Sequence, residues 1–188
     1  MKYCTSCLQP DTRPNTHFTD DGLCPACNYF EQCVDIDWEE RFSIIRSIAD
    51  DYKTRTSSGF DCLIGVSGGK DSTRQALWAR DKLGLNPLLV CLTYPPEQIT
   101  DTGASNISNL IELGFDVVNV CPQPQTWRKL LQVGFKQFTN WAKVTEQAII
   151  ASAPIVAIQY DIPLILWGEN PGLQLGDLGT LGKTGYDG

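Results

Sequence analysis

The chain has 188 residues, with 15 lysines and arginines against 22 acidic residues, and a formal net charge of -7. This length accommodates one sizeable core and a small additional segment. The acidic balance argues against a long nucleic-acid footprint, because neutralising phosphates requires clustered basic side chains. The only histidine is His17, so we expect neither a Ser-His-Asp nor a Cys-His-Glu catalytic site.

The chain opens on cysteines and a proline without the apolar region of a secretory signal. Its longest apolar stretch, residues 148–158, is shorter than the roughly 18 residues that a membrane span requires. We therefore expect a cytoplasmic protein whose eight cysteines are reduced.

Four of these cysteines form two C-x-x-C pairs, which predicts a metal site within residues 1–34. The pairs are separated by 16 residues, inside the spacing of a four-cysteine zinc site, and consist of Cys4, Cys7, Cys24 and Cys27. Four thiolates suit tetrahedral zinc with a structural role, and an iron–sulfur cluster is the alternative. We expect a zinc-ribbon-like segment that the metal holds together.

Residues 35–59 predict a linking amphipathic helix followed by a loop. Apolar residues recur there at three- and four-residue steps after Asp37, a suitable N-cap: Trp38, Phe42, Ile45, Ile48 and Tyr52.

From residue 60 to residue 168, strand and helix patterns alternate. The predicted strands are 60–66, 87–94, 115–120 and 162–168, and the predicted helices are 72–84, 104–114, 125–139 and 141–159. This alternation predicts an α/β fold with a doubly wound parallel sheet, which binds ligands beyond the carboxyl ends of its strands. Cys62 and Cys91 fall inside strands as small buried residues, and Cys121 follows the third strand near that edge. In the second connection, we interpret Thr102 as a helix N-cap and Asn106 as a polar helix position.

The first predicted strand leads into the sequence DCLIGVSGGKDST, residues 61–73, which predicts an anion site at a helix N-terminus. Gly68 and Gly69 allow close approach of the backbone to a phosphate, Ser67 and Ser72 supply hydroxyl donors, and Lys70 adds charge. The stretch is not a Walker loop, because that motif requires glycine where Ile64 stands and Ser or Thr after the lysine.

This loop resembles the SGGxDS signature of the PP-loop ATP pyrophosphatases, carried here by Ser67, Gly68, Gly69, Lys70, Asp71 and Ser72. The resemblance implies an adenine nucleotide alpha hydrolase-like fold that binds ATP and Mg²⁺, with Asp71 as a metal- or phosphate-orienting residue. It also implies a second phosphate- or metal-contacting element after the fourth strand, which indicates Gly168, Glu169 and Asn170. The candidate catalytic residues are Asp71, Lys70 and Glu169.

The cysteine segment together with IDWEERF, FDCLIGVSGGKDS, LGLNPLLVCLTYP and LWGEN resembles the N-acetyl sugar amidotransferase family. The resemblance implies ATP-dependent activation of the acetamido carbonyl of a nucleotide-linked N-acetyl sugar. Ammonia then displaces AMP to form an acetamidino group, in lipopolysaccharide and surface-glycan biosynthesis. It further implies that a separate glutaminase with a cyclase-like barrel subunit supplies the ammonia.

Two other functions stay open. A PP-loop tRNA thiolation enzyme would require a basic RNA-binding face and a reactive cysteine, for which Cys121 is the candidate. A catalytically incomplete ATP-binding or regulatory module would fit the short chain. Residues 169–188 form a glycine-rich tail, expected to be a lid ordered by ligand or the beginning of further domain structure.

Overall fold

The structure is a computed structural model that describes residues 1–12, 16–53 and 55–168. The described residues fall into two compact units, one ending at Phe42 and the other spanning Ser43–Gly168. Among these residues, no helix is both long enough and apolar enough to traverse a bilayer.

Two helices follow the first cysteine pair: α1 (Pro25–Gln32) and, after a short 3-10 turn (Cys33–Asp35), α2 (Trp38–Lys53). Asp37 is confirmed as the N-cap of α2, because its Oδ1 accepts hydrogen bonds from Glu39 N at 3.0 Å and Glu40 N at 2.9 Å. The predicted apolar face is only partly covered. Ala49 is its one fully buried residue among those described, and Trp38 and Ile48 are exposed.

The second unit contains a four-stranded, entirely parallel sheet, which confirms the predicted fold class. Its strands are β1 (Cys62–Gly65), β2 (Pro87–Leu92), β3 (Val117–Val120) and β4 (Ile165–Leu166). The spatial order is β3-β2-β1-β4, so the chain moves outward from β1 to β3 and then crosses back to pair β4 on the other side of β1. This reversal creates a topological switch point between β1 and β4, where doubly wound sheets bind ligands.

Four helices connect the strands: α3 (Lys70–Asp81), α4 (Asp101–Glu112), α5 (Pro124–Phe138) and α6 (Ala142–Gln159). Right-handed crossovers place α3 and α4 on one face of the sheet and α6 on the other. The core beneath α6 joins the inward residues of β1 and β2 to that helix: Leu63, Leu88, Val90, Ala153, Val156, Ala157 and Ile162. The strands read as continuous apolar runs because helices cover both faces of the sheet.

Helix α4 begins earlier than predicted. Its N-cap is Thr100, whose hydroxyl accepts a hydrogen bond from Gly103 N at 3.1 Å, so the assignment of Thr102 is wrong. Both threonines precede a helical pattern, but Thr100 follows a 3-10 turn (Pro96–Gln98) that leaves its backbone extended, as an N-cap requires. Helix α3 also starts before the predicted residue 72, and its first turn therefore contains Lys70, Asp71 and Ser72.

Gly134 marks a close crossing between α5 and α6. A Cβ at this position would lie 2.9 Å from Val144 Cγ1 and 3.2 Å from Asn140 O. Replacing a mid-helix glycine by alanine normally stabilises a helix by about 1 kcal/mol. We expect Gly134→Ala instead to lower the free energy of unfolding by about 1–2 kcal/mol, because the added methyl overpacks the crossing. Urea unfolding measures the effect, and Val144→Ala in the same background should restore part of the loss. A stabilised single variant would contradict the close crossing.

Candidate functional site

The loop of residues 66–69, the candidate phosphate loop, lies between the end of β1 and the start of α3, beside the switch point of the sheet. Val66 N donates to Val90 O at 2.8 Å, so pairing with β2 continues until the loop begins. The loop is therefore held at the carboxyl edge of the two central strands. Doubly wound parallel sheets bind ligands at this edge, as the sequence predicts.

The N-terminus of α3 has no side-chain cap. Gly69 is the N-cap residue and forms no side-chain cap hydrogen bond, because glycine has no side chain to supply one. The first backbone N–H groups of an α-helix have no intrahelical acceptor. Together with the helix dipole, these donors favour an anion at this position. The arrangement suits an anion such as a phosphate group.

Two serines, Ser67 and Ser72, form hydrogen bonds within the loop and the first turn of α3. Ser67 Oγ accepts a hydrogen bond from Gly69 N at 3.4 Å, and Ser72 Oγ accepts one from Ser67 N at 3.4 Å. Ser72 Oγ in turn donates to Gly69 O at 3.2 Å, so its hydroxyl proton is already engaged. Among the described residues, the hydroxyl proton of Ser67 has no acceptor. Of the two predicted hydroxyl donors, Ser67 is therefore the one that can still donate to a ligand.

Gly68 contacts the backbone of α4. Its φ is +73°, and a Cβ built there would lie 2.8 Å from the carbonyl carbon, the carbonyl oxygen and the Cβ of Asn106. Only a residue without a side chain can adopt this conformation so close to a neighbouring helix. Asn106, interpreted from the sequence as a polar helix position only, thus forms the support of the loop.

Lys70 and Asp71 form an ion pair with each other. Lys70 Nζ lies 2.8 Å from Asp71 Oδ1 and 2.9 Å from Oδ2, and the two side chains are 88% and 79% exposed. An exposed pair of this kind contributes little to stability. Both side chains can therefore exchange partners at low cost, the ammonium toward a phosphate and the carboxylate toward a metal ion.

The end of β4 is tied to α3 through Gln75. Gln75 Nε2 donates to Leu166 O at 3.1 Å, and a Cβ at Gly168 would lie 2.9 Å from Gln75 Cδ. The structure thus brings Gly168, predicted from the sequence as a site residue, next to the helix that carries the phosphate loop. Glu169 and Asn170, the other two predicted residues of this element, lie outside the described residues. Their roles stay predictions.

We expect Gln75→Leu to reduce ATP affinity while the protein remains folded. The substitution keeps side-chain volume but removes the donor to Leu166 O, at a cost of about 1 kcal/mol in stability. The end of β4 then loses its hydrogen bond to α3, and the residues after β4 move away from the loop of residues 66–69. Calorimetric titration with ATP measures the affinity, and Gln132→Leu on the exposed face of α5 is the matched control. Unchanged ATP affinity in Gln75→Leu would contradict this link.

The four predicted metal ligands meet in the first unit. The Sγ atoms of Cys4, Cys7, Cys24 and Cys27 all lie within 4.8 Å of one another. The first pair lies in a turn where Cys4 N donates to Gln9 O at 2.9 Å and Leu8 N to Cys4 O at 3.2 Å. The second pair opens α1, with Cys24 as its N-cap. Four soft sulfur donors at this mutual distance fit tetrahedral zinc.

Backbone donors and neighbouring thiols shift the pKa values in this cluster in opposite directions. Burial raises the pKa of Cys4, but hydrogen bonds from backbone N–H groups, including Cys24 N at 3.2 Å, outweigh it and lower the value to about 6. The Cys7 thiol raises the pKa of Cys27 to about 12, and burial raises the pKa of Cys24. Four thiolates this close repel one another, so full ionisation requires a cation among them.

The three cysteines of the second unit, Cys62, Cys91 and Cys121, differ in burial as predicted. Cys62 and Cys91 are buried inside β1 and β2. Burial, followed by the charge of Asp61, raises the pKa of Cys62 to about 12, and burial also raises the pKa of Cys91. These thiols are therefore poor nucleophiles. Cys121 is exposed directly after β3, at the same edge of the sheet as the phosphate loop.

No protein-family model matches this sequence, and no curated protein matches it. Among solved structures, the NH3-dependent NAD synthetase from Campylobacter jejuni subsp. jejuni NCTC 11168, in complex with the nitrate ion, is 17% identical with a TM-score of 0.50. The similarity covers 73% of this chain and 58% of that chain.

Two further structures are similar at lower scores. NMN synthetase from Francisella tularensis is 21% identical over 73% of this chain and 56% of that chain, with a TM-score of 0.47. A predicted subunit of tRNA methyltransferase from Methanocaldococcus jannaschii is 19% identical over 66% and 57%, with a TM-score of 0.43. The chain thus spans just over half the length of these structures.

The sheet order, the phosphate loop at the switch point and the NAD synthetase similarity together define a class of fold. The second unit has the PP-loop, adenine nucleotide alpha hydrolase-like fold. The first unit adds a four-cysteine cluster that can hold a metal ion.

Proposed function

We propose that this protein is an ATP-dependent, AMP-forming enzyme of the PP-loop class. The observation that carries the proposal is the uncapped N-terminus of α3, preceded by Gly68 and Gly69 and located at the switch point. Such a site holds the phosphates of a nucleotide through backbone donors and requires no histidine. The SGGKDS sequence of the loop supports cleavage between the α- and β-phosphates in particular.

The proposed substrate is a nucleotide-linked N-acetyl sugar, as the family resemblance of the whole chain indicates. Its acetamido carbonyl oxygen attacks the α-phosphorus of ATP, the bond to pyrophosphate breaks, and an adenylated imidate forms. Ammonia then adds to the imidate carbon, and AMP leaves with the former carbonyl oxygen. The product is an acetamidino group, made for lipopolysaccharide or another surface glycan by a cytoplasmic enzyme.

The proposed site residues have distinct roles in this reaction. The N–H groups at the start of α3 and the hydroxyl of Ser67 stabilise charge on the departing pyrophosphate. Lys70 releases Asp71 and pairs with a phosphate oxygen. Asp71 would hold magnesium, which neutralises phosphate charge when bound. Glu169, Gly168 and Asn170 are proposed to contact the nucleotide from the end of β4.

Ammonia is proposed to come from a separate glutaminase with a cyclase-like barrel subunit. His17 is the only histidine of the chain, and residue 2 is lysine, so neither a Cys-His-Glu nor an N-terminal cysteine glutaminase fits this sequence. The NAD synthetase that shares the fold is itself described as NH3-dependent.

The deciding experiment incubates the protein with ATP, magnesium, ammonium and a UDP-linked di-N-acetyl sugar acid. We expect AMP and pyrophosphate, with mass spectrometry showing replacement of one oxygen by NH in the sugar. Formation of ADP and phosphate would exclude the PP-loop mechanism. Absence of turnover calls for addition of the glutaminase partner, and continued absence would favour the incomplete ATP-binding module.

The exposed position of Cys121 favours one second candidate, a tRNA thiolation enzyme. A thiol at the carboxyl edge of the sheet could receive the outer sulfur of a persulfide from a separate sulfur donor and pass it to an adenylated base, from which AMP leaves. A second thiol would then reduce the resulting disulfide and release the thiolated base. Under this alternative, Cys121→Ser abolishes activity and tRNA co-purifies with the protein. Under the sugar amidotransferase proposal, Cys121→Ser retains AMP formation.

A further inference from the structure

A shallow, open groove of about 450 Å³ lies along one face of α3 and is lined by residues of that helix together with Gly68 and Lys82. Four of its lining residues recur every fourth position and form one stripe along the helix: Lys70, Arg74, Trp78 and Lys82. Their Cα positions span roughly 18 Å at the usual helical rise. Gly68 closes the end beside the loop. The groove is thus continuous with the candidate phosphate site but extends well beyond it.

The charge of this groove is opposite to that of the chain. Lys70, Arg74 and Lys82 contribute three cations, of which Lys70 pairs with Asp71, whereas the chain carries a net charge of -7. Asp81 is the only lining carboxylate among the described residues, and its Oδ1 already accepts a hydrogen bond from Arg80 Nε at 2.8 Å. Within the described part of the chain, Arg74 and Lys82 form no ion pair. The groove therefore favours an anion.

An apolar section separates the cations. Leu77 and Trp78 are half-buried in the wall between Arg74 and Lys82. An indole face binds planar rings, and a guanidinium binds phosphate oxygens in a bidentate manner. A simple inorganic anion would use the cations only. A ligand that combines phosphates with a planar ring uses the whole groove.

We propose that this groove binds the nucleoside diphosphate portion of the nucleotide-linked substrate. Arg74 binds its phosphates, and Trp78, one turn further along the helix, contacts its base. The inference rests on the proposed function, because it assigns a location to the nucleotide that carries the sugar. Since one end of the groove is formed by Gly68 and Lys70, a sugar held at that end lies beside the ATP phosphates.

UDP binding to the 188-residue protein tests this proposal by calorimetric titration at low ionic strength. We expect UDP to bind more tightly than UMP or inorganic phosphate, and to stay bound at saturating ATP and magnesium. Arg74→Gln should weaken UDP binding about tenfold, the usual effect of losing one charge-assisted hydrogen bond. Trp78→Leu should weaken UDP binding but not phosphate binding. Arg128→Gln, the same substitution on the exposed side of α5, should leave UDP affinity unchanged.

Several results would overturn the proposal. These are no UDP binding at millimolar concentration, equal affinity for UDP and phosphate, complete displacement of UDP by ATP, or UDP affinity that Arg74→Gln leaves unaltered. Binding of tRNA that Arg74→Gln abolishes, with no UDP binding, would instead assign the groove to RNA. UDP binding is measured without turnover. If no AMP forms but Arg74→Gln still weakens UDP binding, the proposed reaction is refuted and the proposal for the groove stands.

Discussion

Replacing Gly68 by alanine is expected to abolish ATP binding and ATP-dependent AMP formation. The backbone of Gly68 has a φ of +73°, a conformation that costs an L-residue about 1–2 kcal/mol. The added methyl would also lie 2.8 Å from the carbonyl group of Asn106. Because that group belongs to the backbone of α4, no change of side-chain rotamer relieves the contact. The loop must move, and the donors at the start of α3 move with it.

The neighbouring glycine supplies a matched control for stability. Gly69 has a φ of -72°, and a Cβ there would meet only Ser67 Oγ, at 3.4 Å. We expect Gly69→Ala to have a melting temperature close to that of the unaltered protein, and Gly68→Ala to melt several degrees lower, as a loss of roughly 1–2 kcal/mol implies. Calorimetric titration with ATP and differential scanning calorimetry measure both effects. Normal ATP affinity in Gly68→Ala would show that the loop conformation is unnecessary for binding.

Removal of the metal is expected to unfold the first unit. Among the described residues of this unit, only Cys4 and Cys24 are buried, and both belong to the cluster. Structural zinc contributes about 10–16 kcal/mol of apparent binding free energy in peptides of this kind, more than such a segment has from packing. Purified protein should contain about one zinc ion per chain. Elemental analysis and near-ultraviolet circular dichroism before and after chelation measure content and folding.

Single substitutions locate the metal ligands. Cys24→Ser should lose the zinc and the folded signal of the first unit, because Cys24 Sγ lies 3.6 Å from Cys7 Sγ within the cluster, whereas the serine can still cap α1. Cys33→Ser is the control, since Cys33 lies outside the four-cysteine cluster. Visible absorption with bound iron would identify an iron–sulfur cluster instead of zinc. Four thiols that react freely in a metal-free but folded protein would refute the metal site.

The sequence predicted the elements that depend on local pattern. Strands β1 and β2 were evident because both of their faces are buried, which makes their residues uniformly apolar. Asp37 could be predicted as an N-cap because its carboxylate accepts hydrogen bonds from backbone N–H groups only two and three residues further along the chain. The strand predicted over residues 162–168 is much shorter in the structure, where only Ile165 and Leu166 pair with β1. Apolar sequence indicates burial, but pairing requires a neighbour of matching length.

The contacts that support the site were not predictable in this way. Gln75 reaches Leu166 across 91 positions of sequence, and Asn106 meets Gly68 across 38. Neither side chain belongs to a motif, and each looks like an ordinary polar helix residue. Their importance arises from which helices the topology places side by side.

Strand β4 has one further consequence for the behaviour of the protein in solution. Among the described residues it pairs on one side only, with β1, and its other side presents unpaired backbone groups. The surrounding sequence, residues 162–167, is apolar and carries no charge. An edge strand of only two residues, with Pro163 two positions before it, offers few backbone groups to a strand of another molecule. Strand addition by another molecule next to the loop of residues 66–69 is therefore limited within the described part of the sheet.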